Sequence, residues 1–287
     1  MPADPSTLEA RIARLFVYPV KSCAGVELRE AVLTEAGLDL DRAWMVVDAD
    51  GTGVTQRELP RLALVRPQLK LHEVILRAPG MLALHLSIDA VEAAVKVRVW
   101  DDEVAAYDMG DIAAQWFSDF LGTRLRLVRF DPEHRRLSDP RWTGGTEAPN
   151  QFSDGYPVLV TSEASLAGLN ERLLAAGHAA VTMERFRPNV VLAGIEAHDE
   201  DRVETLQVQA DAPVALRLVK PCPRCPIPNI DPATAHSSPE VLDTLQGYRA
   251  DQRLGGAVSF GMNAIVAEGE DVLLRVGQAV RGNWAFD

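Results

Sequence analysis

The sequence predicts a mainly β protein with peripheral helices, of the α+β class. Glycines and Asp-Gly or Pro-Gly pairs punctuate the first half, and at Asp48–Gly51 they predict a hairpin turn whose glycine has a positive φ. Many short strands with frequent turns are typical of a barrel or a sandwich. Several of the predicted strands alternate polar and apolar residues with period two; those of the first half are Ile12–Val20, Ala43–Val47, Leu64–Leu71, Leu82–Ile88 and Lys96–Trp100.

Helices are predicted at three places, each with a recognisable start signal. The first spans Asp111–Leu121, whose first residue is expected to cap the amino end. The second is capped by Thr161 or Ser162, and the third begins after Ser238. The long polar stretch 131–155 is expected to cross a cleft or to join two lobes. The remaining predicted strands are Leu125–Phe130, Val190–Ala193, Ala215–Lys220, Ala257–Val266 and Asp271–Val276.

Composition and charge argue against several classes of protein. The chain has 29 basic and 41 acidic residues and a net charge of −12, so it lacks the cationic balance that a nucleic-acid binder needs. Its apolar runs have the length of strands, and its first residues lack the pattern of an export signal, so we expect no membrane association. Three cysteines are too few for a disulfide scaffold, and a cytoplasmic protein with free thiols is predicted.

The pair Cys222 and Cys225 is the sharpest chemical feature of the sequence. Its spacing alone admits half of a zinc site, a thioredoxin-like redox pair or two small buried loop residues, and by itself favours the last. The surrounding loop, Lys220–Asp231, contains several prolines and is therefore stiff. Lys220 and Arg224 flank the thiols and are expected to lower a thiol pKa. This context favours a thiolate that ligates a soft metal.

Two further segments have the composition of an anion site. Lys21 and Ser22 follow the first predicted strand, and Arg185 and Arg187 precede Asn189 and a buried strand. Arginine forks and a lysine point charge are the usual holders of phosphate. Taken separately, each segment is better explained as solvated surface charge, but together they indicate an anionic ligand. The sequence contains no glycine-rich phosphate loop, so a nucleotide-binding fold has no support.

Six short motifs, in their order along the chain, resemble the MOSC family, which is named for the carboxy-terminal domain of molybdenum-cofactor sulfurase. The resemblance covers nearly the whole chain and includes the amino-terminal β-barrel module of the family. It extends to the mitochondrial amidoxime-reducing components and their bacterial counterparts. The motifs are PVKSC at 19–23, DLDRAW at 39–44, TQR at 55–57, FRPN at 186–189, CPRC at 222–225 with DP at 231–232, and FGMN at 260–263.

The resemblance implies a two-module fold, with an N-terminal β-barrel-like module at 8–125 and a β-barrel MOSC domain at 126–287. It implies a molybdopterin-bound molybdenum (Mo) in the cleft between the modules. Cys225 is the implied metal ligand and catalytic residue, and Cys222 has a supporting role. The residues implied to hold the pterin and its phosphate are Lys21, Ser22, Arg42, Arg187 and Asn189, joined by Ser162, Arg185, Phe260 and Asn263.

The same resemblance implies a molybdenum-dependent oxidoreductase that reduces N-hydroxylated or N-oxide-type small molecules by two-electron oxygen abstraction. We expect a separate ferredoxin- or flavodoxin-like protein to donate the electrons, because no four-cysteine iron–sulfur domain is found in the sequence. Neither nucleic acid nor a membrane is an expected partner. The alternative is a carrier that binds the molybdenum cofactor, or holds sulfur as a persulfide on Cys225, without redox turnover.

Overall fold

A computed structural model describes residues 7–285 of the protein. Most of its regular structure is strand, and the predicted mainly β class with peripheral helices is confirmed. The strands are β1 Thr7–Val17, β2 Val26–Leu28, β3 Glu30–Thr34, β4 Gly37–Leu38, β5 Trp44–Val47, β6 Arg66–Leu69, β7 Glu73–Arg77, β8 Leu84–Ser87, β9 Ala94–Val99, β10 Asp102–Asp108, β11 Arg126–Phe130, β12 Val158–Ser162, β13 Val190–Ala193, β14 Val203–Gln209, β15 Pro213–Pro223, β16 Ala250–Asp251, β17 Ala257–Glu268, β18 Val272–Arg275 and β19 Ala279–Trp284. The α-helices are α1 Gly110–Leu121, α2 Pro140–Thr143, α3 Glu163–Ala175 and α4 Glu240–Gln246.

The largest sheet closes into a barrel. Its strands follow the order β12-β13-β1-β19-β14-β15-β17, and β17 pairs back onto β12. Strands β12 and β13 are parallel, whereas the other neighbours around the barrel are antiparallel. Alternate residues of these strands fill the interior with apolar side chains such as Ile12, Val160 and Leu216, each at most 1% exposed. Closure leaves these seven strands without a free edge, and β2 and β16 pair onto the ring from outside the closed path.

A second group of sheets packs around α1. Strands β5, β11, β10 and β9 form one sheet, and β6, β7 and β8 form another. The helix buries Phe117 and Phe120 in the core that these sheets share. The predicted cap at Asp111 is wrong: Asp108 accepts the hydrogen bond from the Gly110 amide at 2.7 Å, and the Asp111 side chain is 95% exposed. The N-cap residue is Met109, which has no side-chain cap, and Asp108 at the end of β10 satisfies the first amide of the helix.

The two sheet systems interlock through the first part of the chain. Strand β1 lies between β13 and β19 of the barrel, and β3 pairs with β18 near the carboxyl end. An isolated bridge between Val20 and Trp44 then links the turn after β1 to the other sheet system. The hydrogen-bonded sheets thus do not follow the predicted boundary at 125/126, which stays a prediction, and residues 286–287 of the second predicted module lie outside the described residues. The turn after β1 consequently lies where the two systems meet.

Most predicted helices and strands are found, with instructive exceptions. Ser162 caps α3 through a hydrogen bond from the Ser165 amide, and Gly51 has φ +74° in the predicted hairpin turn. Strand β14 has polar residues at every other position, and it gains its β structure from pairing with β15 and β19. The strands that the sequence analysis did not predict are β2, β3, β4, β7, β10, β12, β14, β16 and β19. Within residues 7–285, none of the helices combines the length and apolar character needed to cross a bilayer.

Candidate functional site

A cavity of about 390 Å³ lies where the turn after β1, the segment 153–156 and the loop after β15 meet. The stretch 131–155, predicted to cross a cleft, contributes its last residues to this wall. The structure therefore brings together segments that are more than 200 positions apart in the sequence. The predicted site residues that line the cavity are Lys21, Ser22, Arg42, Arg185, Arg187, Asn189, Cys225 and Asn263.

Two arginines lie side by side on one wall of the cavity. The guanidinium groups of Arg42 and Arg187 lie 4.3 and 4.2 Å from the centre of the Tyr18 ring. Arg42 pairs with Asp41 and donates to the Arg187 carbonyl at 3.1 Å. Arg187 donates from Nη1 to the Cys23 carbonyl at 2.6 Å, while its Nη2 is buried and has no hydrogen-bond partner. One charged donor is thus left for a group that enters the cavity.

The electrostatics of this wall favour an anion. Burial, together with the neighbouring charge of Arg42, lowers the pKa of Arg187 to about 10. Burial also raises the pKa of Tyr18, so the ring between these cations stays neutral. A buried cation without a full set of partners is unfavourable until an opposite charge approaches it. The wall is therefore suited to a phosphate or a carboxylate.

The backbone of the same wall adopts an unusual conformation at three positions. Ser22, Arg42 and Arg187 have φ values of +65°, +53° and +57°, in the left-handed region that favours glycine. Each such residue costs on the order of 1 kcal/mol or more and persists only where the surrounding structure imposes it. Residues of this kind concentrate at binding sites, and all three line the cavity.

Lys21 and Asp154 form an ion pair inside the cavity. The Lys21 side chain is buried and donates from Nζ to the Phe152 carbonyl at 2.8 Å and to Asp154 at 2.5 Å. Burial lowers the pKa of Lys21, although the carboxylate opposes this shift. Asp154 lines the cavity. Desolvation raises the pKa of its carboxyl group, but the charges of Lys21 and Arg42 outweigh this effect and hold the pKa at about 2. The Asp154 carboxylate is therefore ionised at neutral pH.

The cysteine loop is held in place by arginines from the neighbouring segments. Strand β15 extends to Pro223, so Cys222 lies within the strand and Cys225 just after it. Arg224 donates to the carbonyls of Phe186 and Phe260. Arg185 donates to the carbonyls of Pro228 and Asn229 at 3.2 and 3.1 Å and pairs with Asp231. These bonds add to the restraint that the prolines place on the loop backbone.

The predicted lowering of a thiol pKa is wrong for Cys222. Burial raises the pKa of that thiol, and the positive charge of Arg224 opposes the shift without reversing it. The guanidinium of Arg224 is directed at backbone carbonyls, so it was misjudged as a partner for sulfur. Cys23 is fully buried, and burial raises the pKa of its thiol to about 12. Cys225 and Cys222 both line the cavity and are both partly exposed.

Asn189 has a structural function besides its position at the cavity. Its side-chain oxygen accepts from the Leu159 amide at 3.0 Å, and its side-chain nitrogen donates to the Phe16 carbonyl at 3.2 Å. These bonds tie β13 to β12 and β1, so only one amide hydrogen of Asn189 remains for a ligand. Asn263 lies on β17 in register with Leu159 and Lys220, and it reaches the cavity from the opposite strand.

The structure does not bring Ser162 and Phe260 to the cavity wall. Ser162 is fully buried, where it caps α3 and donates to Glu200 at 3.0 Å. Phe260 stacks on Phe186 with ring centroids 4.0 Å apart, and its carbonyl accepts from Arg224. Phe260 therefore supports the wall from behind. Sequence spacing cannot reveal this, because it does not show which side of a strand faces the cavity.

Several cavity residues were not predicted. Asp154 and Tyr156 come from the end of the polar stretch, and its length was the available signal. Trp100, the last residue of a predicted strand, lines the cavity with φ +54°. Arg57 lies 4.5 Å from the centre of the Trp100 ring. This contact joins strands of the second sheet system to the cavity rim.

The other interpretations of the cysteine pair find little support. No group of three or more His, Cys, Asp or Glu side chains lies together in the described part of the chain, so a zinc site made of protein ligands alone is not found there. Cys225 is followed by a short 3₁₀ turn at Ile227–Asn229 and not by an α-helix, so the strand-to-helix junction of a thioredoxin-like pair is not formed at this place.

Comparison with known proteins agrees with the motifs. Residues 9–124 match the MOSC N-terminal beta barrel domain, and residues 147–281 match the MOSC domain. Mitochondrial amidoxime reducing component 2 of Rattus norvegicus is 36% identical over 250 residues, which is 83% of this chain and 72% of that protein. Mitochondrial amidoxime-reducing component 1 of Homo sapiens is 37% identical over 249 residues, with the same two coverages of 83% and 72%. The chain therefore belongs to the MOSC family, in the group that contains the mitochondrial amidoxime-reducing components.

Proposed function

We propose that the protein is a molybdenum-cofactor oxidoreductase that reduces N-hydroxylated small molecules. In the overall reaction the N–O bond breaks, two electrons and two protons are taken up, the nitrogen compound is released in reduced form, and the oxygen leaves as water. The names of the relatives, which describe amidoxime reduction, support this assignment. The observation that carries it is one cavity lined both by the partly exposed Cys225 and by Arg187, which has a buried nitrogen without a hydrogen-bond partner.

The residues of the cavity fit a metal carried by an organic phosphate. A thiolate is the ligand that a soft metal prefers, and Cys225 is the proposed ligand. The phosphate would be held by Arg187, Arg42 and Lys21, whose charges lie on one wall, with Ser22 beside them. The donor of Arg187 that lacks a protein partner is the one best suited to this contact. Asn189 and Asn263 are proposed to bind the pterin.

The molybdenum cofactor, when bound, supplies a two-electron centre able to accept oxygen from the substrate. The protein contributes orientation and charge. Asp154 is ionised at neutral pH and is the proposed acceptor for an N–H or O–H of the substrate. Its ion pair with Lys21 fixes the carboxylate on the cavity wall. Electrons are proposed to come from a separate ferredoxin- or flavodoxin-like protein, and a cytoplasmic location stays a prediction.

The test compares the two cysteines. Cys225→Ala is expected to abolish reduction of an aryl amidoxime by a chemically reduced viologen, because the metal loses its protein ligand. Cys222→Ala is the matched control, and it should keep measurable activity, since Cys222 is not the proposed ligand. Metal and pterin content of both purified variants would be measured alongside turnover. Equal loss in the two variants would contradict the assignment.

The carrier alternative predicts a different outcome. A carrier would bind pterin yet reduce no N-hydroxylated compound, or would show a persulfide adduct on Cys225 in the intact mass spectrum without metal. Either result, obtained with the wild-type protein, would contradict the reductase assignment and support the carrier assignment.

A further inference from the structure

Lys220 lies on the cavity wall between two aromatic rings. Its Nζ is 5.2 Å from the centre of the Trp142 ring and 5.7 Å from the centre of the Tyr156 ring. Contacts of this kind stabilise an ammonium group but occupy none of its N–H donors. Within residues 7–285, the Lys220 ammonium has no hydrogen-bond or ion-pair partner. It is half-buried, so it remains accessible to a ligand in the cavity.

This sets Lys220 apart from most of the other cations of the cavity. Lys21 is paired with Asp154 and bonded to a carbonyl. Arg185 and Arg224 donate hydrogen bonds to backbone carbonyls of the cavity walls. Arg187 has one free nitrogen, but it lies beside Arg42 on the wall proposed for the cofactor phosphate. Lys220 instead lies on β15, two residues before Cys222.

The nearby carboxylate of Asp139 does not take up this charge. Hydrogen bonds from Arg141 hold the pKa of Asp139 at about 2, and the charge of Lys220 adds a smaller contribution. Asp139 binds the Arg141 guanidinium at 2.6 Å and also caps α2. Lys220 interacts electrostatically with the Asp139 carboxylate but forms no hydrogen bond or ion pair with it. Its N–H donors are therefore available to an anion from outside the fold.

We propose that Lys220 is a specificity-determining residue that binds a carboxylate on the substrate. The preferred substrates are N-hydroxylated compounds that carry a carboxylate, with the reducible N–O group directed to the side of Cys225. This inference rests on the proposed function, since it names the class of substrate for the same cavity. The rings of Trp142 and Tyr156 hold the ammonium in place before the substrate arrives, which lowers the entropic cost of the contact.

The experiment uses a matched pair of substrates, benzamidoxime and its 4-carboxylate, with the full-length protein and a reduced viologen. Lys220→Met removes the charge with little change of length, Lys220→Arg keeps it, and Lys70→Met is a control that loses one charge at an exposed position away from the cavity. The ratio of KM for the carboxylate compound to KM for the neutral compound should rise about tenfold in Lys220→Met, as expected for loss of a charged hydrogen bond. Lys220→Arg should restore most of the selectivity, and Lys70→Met should match the wild type.

A binding measurement separates this inference from the proposed function. Calorimetry with the unreactive products, benzamidine and its 4-carboxylate, should show the same loss of selectivity in Lys220→Met. If the wild type reduces neither amidoxime, the proposed function fails, and the binding ratio still decides the role of Lys220. An unchanged ratio in Lys220→Met overturns the inference. So does a fall of pterin content in that variant with the ratio preserved, because Lys220 would then bind the cofactor phosphate.

Discussion

Arg224 and Arg187 line the same cavity but differ in what their donors bind. The Arg224 guanidinium donates hydrogen bonds to two backbone carbonyls. These bonds hold the cysteine loop to β17 and to the segment before β13. Arg187 makes one such bond and keeps a buried nitrogen without a partner. The residue type is the same and both side chains are partly buried. The unsatisfied donor, and not the presence of an arginine, therefore distinguishes a ligand-binding cation from a structural one.

The largest expected effect follows from the structural arginine. Arg224→Met leaves the carbonyls of Phe186 and Phe260 without their donor, and the free energy of unfolding should fall by about 3 kcal/mol. Urea unfolding of the cofactor-free protein measures this loss. Arg141→Met, which removes an exposed arginine from the same region, is the control and should show no measurable change. If Arg224→Met were as stable as Arg141→Met, Arg224 would not be the structural cation that the comparison with Arg187 requires.

Two carboxyl groups, the exposed Asp154 and the buried Glu200, extend the comparison to acids. Asp154 is ionised beside cations, whereas burial raises the pKa of Glu200 to about 7, against the hydrogen bonds from Ser165 and Ser162 that favour its charged form. The folded protein keeps a proton on Glu200 that the unfolded chain releases near pH 4.5. The contribution of Glu200 to the free energy of unfolding is therefore fully present below pH 4.5 and is lost as the pH rises through about 7.

Glu200→Gln isolates this contribution. The free energy of unfolding of the wild type, relative to that of the variant, should fall by on the order of 2 kcal/mol between pH 5 and pH 8. Denaturant titrations of both proteins at the two pH values measure the difference. A difference that stays constant, or grows with pH, would show that Glu200 is already ionised in the folded protein.

The smallest of these effects concerns the arginine with the free donor. Arg187→Met should reduce the retained pterin and phosphate about tenfold, the loss expected for one charged hydrogen bond. The unfolding free energy of the cofactor-free protein should change less than in Arg224→Met, because removal of Arg187 also relieves its repulsion with Arg42. Pterin fluorescence after release and phosphate analysis provide the readout. Full retention in this variant would place the phosphate elsewhere.

Local sequence signals were accurate where a residue acts on its own neighbours. Ser162 was predicted as a helix cap from its position before an apolar stripe, and it caps α3. The same residue was implied as a cofactor ligand, yet it donates to Glu200, a partner 38 positions away that no local pattern indicates. Asp111 is predicted as a cap, but the N-cap residue is Met109, and the first helical amide donates to Asp108 of the preceding strand. Contacts across strands explain both differences.

The sequence by itself determined the mainly β class, the family and most of the segments that meet at the cavity, because periodicity, turn residues and ordered motifs are properties of short stretches of chain. Only the tertiary structure decided which cations are free. A hydrogen-bond partner such as the Phe260 carbonyl of Arg224 is chosen by how distant strands pack. For the same reason the aromatic contacts of Lys220 with Trp142 and Tyr156 become visible only once β15 and the segment 140–156 lie side by side.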